Sequence, residues 1–183
     1  MYYTKDMPEN TSTTYEQFPL YIPLMATLQS LGIYLLGAYV LLGFGVLVAL
    51  LYLVYCAIME FFILQRSCKH CYYYGKVCGL GKGRLSALFF KKGNPERFHT
   101  RQVHWYHLLP DFLTFIIPLI GGVISLYLIF SWIILVAMIC ILLLSVLGNF
   151  VIRGFFACKY CKQRQLGCPA QQLFDKKKST ETH

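Results

Sequence analysis

The first long apolar block of the chain is too long to cross a membrane as one helix. Between residues 18 and 65 the only charged side chain is Glu60. One helix of that length would run about 70 Å, against a hydrocarbon core of about 30 Å. The block therefore predicts two helices, over residues 22–42 and 46–64. The chain is expected to reverse at residues 43–45, because two glycines flank this position and glycine turns easily.

The second apolar block, residues 108–152, divides in the same way near residues 126–131. Four membrane-spanning helices result, arranged as two hairpins in tandem with short exposed turns. The composition agrees, since 57% of the residues are hydrophobic and only 14% are charged, which is typical of membrane proteins. The predicted fold class is an all-α polytopic membrane protein.

The basic residues are confined to the polar segments outside the two apolar blocks. Residues 66–106 hold nine lysines and arginines against one acid, and residues 153–183 hold seven against two. The net charge of +9 therefore indicates the bilayer and its anionic headgroups as partners, and not nucleic acid. The positive-inside rule places these segments and both termini in the cytoplasm, with the chain in the inner (cytoplasmic) membrane.

A set of three cysteines with the spacing C-x2-C-x6-C follows each apolar block. The sets are Cys68, Cys71, Cys78 and Cys158, Cys161, Cys168, and matching cysteines lie ninety positions apart. This register predicts an internal duplication. Both hairpins begin and end on the same face, so the two halves should form a parallel repeat about an axis along the membrane normal.

The duplication divides the chain into five predicted parts. A polar N-tail and a disordered C-tail enclose two hairpin units, each with its cysteine set, and a basic connector that begins as an amphipathic helix joins the units. In order, the parts are residues 1–18, 19–81, 82–106, 107–169 and 170–183.

The cysteine spacing favours a metal site. Two thiolates three residues apart can enter one tetrahedral site about 2.3 Å from zinc, and a reducing cytoplasm disfavours structural disulfides. Each set is one ligand short of four, so we expect the two C-x2-C pairs to share one ion, with Cys78 and Cys168 beside it. Alternatively each set holds its own metal, and His70 is a possible further donor to the first. Basic neighbours, Lys76 and Lys162 among them, are expected to lower the thiol pKa values.

Two other functions remain open at this point. Four thiolates also hold iron–sulfur clusters, and Cys168 followed by proline resembles the end of ferredoxin motifs. With such a cluster, or with the C-x2-C thiols themselves, the protein would be an oxidoreductase that passes electrons to quinone. A heavy-metal ion carrier would need thiols inside the spans, where Cys56 and Cys140 lie. The preferred interpretation is a zinc-binding module with a binding or assembly role, whose partner is another protein or a second copy.

Polar residues within the spans are further candidates. Glu60 and Asn149 lie at similar depths beneath the two cysteine sets, and an ionisable group at such depth is commonly functional. Arg153 lies one helical turn past Asn149. If it paired with Glu60, the role of both would be structural, because the interface is near enough for the side chains to snorkel.

The cysteine sets also carry a resemblance. At residues 68–78, which run Cys-Lys-His-Cys-Tyr-Tyr-Tyr-Gly before Cys78, and at residues 158–169, the chain resembles a group of small prokaryotic membrane proteins with two hairpins and two cysteine clusters. The resemblance covers the architecture of residues 20–170. It implies the four-span fold and no particular activity.

Overall fold

The computed structural model describes residues 14–95, 98, 109–166 and 168. Within this part the chain is helical, and four helices are long and apolar enough to cross a membrane, which confirms the predicted fold class at that level. The helices are α1 (Tyr21–Leu41), α2 (Val46–Arg66), α3 (Lys82–Phe89), α4 (Leu109–Leu128), α5 (Trp132–Leu143) and the short α6 (Lys162–Gln165).

Both chain reversals fall where the sequence predicts them. Helix α1 tightens into a 3-10 turn over Leu42–Phe44, and Gly45 then turns the chain into α2. Gly45 has a φ of 116°, a conformation that glycine adopts far more readily than other residues. The second reversal occupies residues 129–131, between α4 and α5.

Helix α1 is the centre of the bundle. It packs against α2, α4 and α5, and 39% of its most apolar stretch is buried, against 17% in each of the other spans. The outer helices leave large apolar side chains exposed, such as Leu47 on α2 and Ile133 on α5. Lipid tails accommodate such surfaces because they are as apolar as leucine.

A proline in α4 is matched by a tyrosine on α2. Pro118 lacks the N–H that would bond to the carbonyl oxygen of Thr114, four residues earlier. The hydroxyl of Tyr52 donates to this oxygen at 2.6 Å, so the carbonyl is satisfied from the neighbouring helix. The Tyr52 ring lies so close to α1 that a Cβ at Gly37 would be 2.5 Å from its hydroxyl oxygen.

The last span changes helical form on its way to the second cysteine set. Helix α5 continues as π-helical turns over Leu144–Gly148 and Phe150–Ala157, and such wide turns are frequent at functional sites. Gln29 of α1 stabilises the first of them, because its side-chain nitrogen donates to the Leu144 carbonyl oxygen at 2.7 Å.

Several predicted parts lie wholly or partly outside the described residues. These are the N-tail before residue 14, the part of the connector that follows residue 95, apart from residue 98, and the C-tail from residue 170. The described start of the connector includes α3, which exposes Leu85, Leu88 and Phe89; its location in a headgroup layer stays a prediction.

Candidate functional site

Cysteines from both sets come together at one end of the bundle. Cys71 and Cys78 of the first set and Cys161 of the second pack around a buried cluster that contains Phe18 and Tyr73. The sulfur of Cys71 lies 3.7 Å from the side-chain oxygen of Gln163, in the loop of the second set. The two halves of the chain therefore meet at their thiols.

The two C-x2-C segments have similar backbone conformations. In each, the amide of the second cysteine donates to the carbonyl oxygen of the first, at 3.2 Å in the first set and 3.4 Å in the second. Cys71 has φ −77° and ψ 153°, and Cys161 has φ −81° and ψ 118°. Backbone amides act against the effect of burial on the thiol pKa values, that of Tyr73 at Cys71 and those of Gln163 and Arg164 at Cys161.

The third cysteine of the first set is held by the start of α3. The amide of Gly83 donates to the Cys78 sulfur at 3.2 Å. A Cβ at Gly83 would lie 2.3 Å from the Tyr73 carbonyl oxygen and 2.5 Å from that of Lys76. Only glycine fits here, because the obstacles are backbone atoms that cannot rotate away.

Residues 14–18 form a strap that crosses both cysteine loops. The amide of Tyr15 donates to the Tyr160 carbonyl oxygen at 3.1 Å, and the amide of Phe18 donates to that of Val77 at 3.0 Å. The hydroxyl of Tyr73 in turn donates to the Tyr15 carbonyl oxygen at 2.6 Å. The strap thus ties the first cysteine loop to the second.

The carboxylate of Glu16 joins the loops electrostatically. It pairs with Lys162 of the second loop, accepts a hydrogen bond from the Tyr72 hydroxyl, and lies 3.7 Å from the Lys76 nitrogen of the first loop. The hydrogen bonds from Lys162 and Tyr72 lower the pKa of Glu16 to about 2. The same contact with Glu16 raises the pKa of Lys162.

Burial keeps the thiols of Cys71 and Cys161 protonated at neutral pH. Burial raises the pKa of Cys71 to about 12 and that of Cys161 to about 11. Burial also raises the pKa of Cys158, and Arg153 opposes this rise without reversing it. The predicted effect of basic neighbours is present at Cys158, where Arg164 also acts to lower the pKa, but burial is the larger effect and the net shift is upward. Lys162 is engaged by Glu16.

The cysteine side chains suit a soft metal ion chemically, but in the described residues they are spaced more widely than the ligands of a bound ion. Thiolates are the preferred ligands of zinc and of iron–sulfur clusters, and Cys71 is close enough to Cys78, Cys161 and Cys168 for their charges to interact. Among the residues placed by the structure, however, no three histidine, cysteine or acidic side chains converge closely enough to hold an ion.

His70 is oriented by the chain that follows α3. Its Nδ1 lies 2.9 Å from the Asn94 carbonyl oxygen, and since a carbonyl only accepts, Nδ1 is the protonated nitrogen. In the neutral form of the ring, Nε2 is then the nitrogen that carries the lone pair. This is the tautomer that metal-binding histidines adopt when a carbonyl orients the ring.

Glu60 has a different partner from the one considered in the sequence. Its carboxylate accepts a hydrogen bond from the Tyr34 hydroxyl at 2.7 Å and pairs with Lys82 at 2.6 Å. Arg153 is therefore not the ion-pair partner of Glu60. The reason is that the chain folds back after the first cysteine set and places the start of α3 over the end of α2.

Asn149 and Arg153 instead line a small cleft between α1, α5 and the start of α3. Its other polar lining residues are Gln29, Ser30 and Lys82. Cys56, by contrast, is buried in an apolar cluster with Ala38, Leu41, Ala49 and Tyr52, so it does not face a polar path of the kind that a metal carrier needs.

Sequence reasoning missed two residues that organise this end of the molecule, Gln163 and Lys82. Gln163 is buried, and its side-chain oxygen accepts the Tyr72 amide at 2.7 Å. Its position ninety residues after Tyr73, the aromatic centre of the first loop, is the one signal that could have drawn attention to it.

Comparisons of the chain with models of known protein families, with curated proteins and with solved structures found no match.

Proposed function

We propose that this protein is an inner-membrane metal-binding module, in which thiolates from both cysteine sets hold a zinc ion at the cytoplasmic face. The observation that carries the proposal is the meeting of Cys71, Cys78 and Cys161 around one buried cluster at one end of the bundle. Bound metal would join the two halves, which suits a binding or assembly role.

The two C-x2-C pairs are the proposed ligands. Their matching turns, in which the second cysteine amide donates to the carbonyl oxygen of the first, support this choice. Cys78 and Cys168 lie beside the site, and His70 offers a further donor to the first set. Because the thiols are protonated beforehand, zinc binding would release protons, and affinity would rise with pH.

We further infer a parallel duplication with both termini in the cytoplasm. The similar backbone of the two cysteine turns, ninety residues apart, supports the duplication. The contact between Tyr15 and Cys161 places both ends of the described chain at the same end of the bundle. The excess of lysine and arginine at this end supports a cytoplasmic location by the positive-inside rule.

Elemental analysis of anaerobically purified protein, together with its absorption spectrum, tests the proposal. We expect one zinc per chain and a colourless protein. In a shared site, Cys71→Ser and Cys161→Ser should each abolish metal binding, whereas with separate sites each should remove only half. Cys140→Ser is the matched control, since this cysteine lies within a span, and it should retain full metal content.

Two results would contradict the zinc assignment. A brown protein containing iron and sulfide would favour the electron-transfer alternative, in which a cluster passes electrons to quinone. A protein that contains no metal, and that fails to take up zinc after reduction, would exclude a metal site altogether. Unassisted thiol redox chemistry is the less favoured function, because burial keeps Cys71 and Cys161 protonated and thiolate is the reactive form.

A further inference from the structure

The cleft beneath the cysteine loops carries two cationic side chains and three neutral polar ones. Lys82 and Arg153 supply the charges, and Gln29, Ser30 and Asn149 supply the neutral groups. None of the residues that line it is acidic. It lies at the cysteine end of the spans, where the proposed orientation puts the anionic headgroups of the inner leaflet.

The guanidinium of Arg153 has no hydrogen bond or ion pair with any residue in the part of the chain that the structure describes. It is exposed at the edge of the cleft, and it acts on Asp111 and Cys158 only through longer-range electrostatics. Arginine presents a planar fork of donors that matches the oxygens of a phosphate. An arginine so placed at a membrane surface is available to a ligand.

The neighbouring polar groups have donors to spare. The amide nitrogen of Asn149 uses one hydrogen on the Ser145 carbonyl oxygen at 2.8 Å, and that of Gln29 uses one on Leu144. Each amide nitrogen carries two hydrogens. One donor on each side of the cleft therefore remains.

The two nearby carboxylates do not fill the cleft. Glu60 is not among the lining residues, and it is engaged by Tyr34 and by one contact with the Lys82 nitrogen. Asp111, in the first turn of α4, is not among the lining residues. Gly148 lets the last span approach Gln29 closely, since a Cβ there would be 2.9 Å from the Gln29 side-chain nitrogen.

The geometry points to a binding site for a phosphate group, held by Arg153 and Lys82 together with the amides of Asn149 and Gln29. The phosphate of an anionic membrane lipid and free inorganic phosphate share this chemistry. The site is separate from the proposed zinc centre, and it does not require that centre to exist.

The test uses the full-length chain in nanodiscs of phosphatidylcholine that contain a minority of phosphatidylglycerol. Native mass spectrometry after transfer to detergent counts the phosphatidylglycerol molecules retained, and binding of radiolabelled inorganic phosphate is measured in parallel. Arg153→Gln should reduce binding about tenfold or more, since it removes charge-assisted hydrogen bonds. Arg153→Lys keeps the charge, loses the fork and should give a smaller loss.

Arg84→Gln is the matched control, because it removes one exposed cation of α3 outside the cleft and should leave binding unchanged. Retention of phosphatidylglycerol that depends on Arg153 identifies a lipid site. If only the binding of inorganic phosphate depends on Arg153, the site is one for the free ion. If neither probe responds to either Arg153 variant, or if Arg84→Gln weakens binding as much as Arg153→Gln, the inference is overturned. Zinc content and circular dichroism of each variant report separately on the metal centre and on folding.

Discussion

The hydrogen bond that crosses from α2 to α4 should be a measurable part of the stability of the bundle. Pro118 deprives the Thr114 carbonyl oxygen of its helical donor, and the Tyr52 hydroxyl supplies the replacement at 2.6 Å. Tyr52 is only 4% exposed, so its hydroxyl is held in the helix interface. Tyr52→Phe therefore leaves a partly buried carbonyl without its donor, which we expect to cost about 1–2 kcal/mol in free energy of unfolding.

A double-mutant cycle isolates this bond from other effects of the substitutions. Pro118→Ala restores an N–H that can reach the Thr114 oxygen along the helix, so Tyr52→Phe should cost only a few tenths of a kcal/mol in that background. Tyr55→Phe is the matched control. Its hydroxyl also bonds to a carbonyl oxygen of α4, that of Pro110 at 2.7 Å, but this carbonyl lies within helical reach of an ordinary N–H.

The assay is reversible unfolding in mixed micelles, followed by far-ultraviolet circular dichroism as the fraction of denaturing detergent is raised. A loss of 1.4 kcal/mol corresponds to a tenfold change in the unfolding equilibrium. The reasoning is refuted if Tyr55→Phe costs as much as Tyr52→Phe. It is equally refuted if Pro118→Ala leaves the cost of Tyr52→Phe unchanged, because the missing proline N–H would then not be the cause.

Three further predictions concern the cysteine loops. Gly83→Ala should sharply reduce zinc content, because its Cβ would overlap the Tyr73 carbonyl oxygen. Gly154→Ala is the control and should retain zinc, because Gly154 faces open space. Equal zinc content in the two variants would contradict the close approach at Gly83. Glu16→Gln should speed hydrogen exchange at the strap amides, measured by mass spectrometry, and added salt should reduce the difference from the native chain. In the native chain, the part of the strap-amide protection that depends on Glu16 should be complete above the ordinary glutamate pKa of 4.5. It should be lost as the pH falls toward about 2. If it is already lost at pH 4.5, the ion pair is excluded. Gln163→Leu should lower the yield of bifunctional thiol crosslinking between the two cysteine sets, because it removes the buried acceptor between the loops; an unchanged yield would show that the loops associate without it.

Physical rules that act locally explain why the spans could be predicted from the sequence. The length of an apolar block is compared with a fixed bilayer thickness, and Gly45 supplies a turn whose backbone conformation other residues adopt with difficulty. The ninety-residue register of the cysteines likewise pointed to their meeting at one end, and Cys71 and Cys161 do pack in the same cluster.

The features that the sequence did not predict depend on contacts between distant parts of the chain. The partner of Glu60 is Lys82 and not Arg153, because the loop after the first cysteine set returns α3 to the end of α2. The direction of the thiol pKa shifts depends on burial, to which the strap of residues 14–18 contributes by covering both loops. That strap is too short and too polar to produce a periodic pattern, so the sequence contained no sign of it.

The ion pair between Glu60 and Lys82 links the membrane bundle to the cysteine loops. Glu60 is fixed to α1 through the Tyr34 hydroxyl, and Lys82 directly precedes Gly83, whose amide holds the Cys78 sulfur. A partly buried ion pair contributes little net stability, but removing one partner is costly because it leaves the other charge without compensation. The pair therefore fixes where α3 begins relative to α2. Because the position of the Cys78 sulfur depends on that start, the geometry of the proposed metal site is set by the packing of α1 and α2 within the membrane.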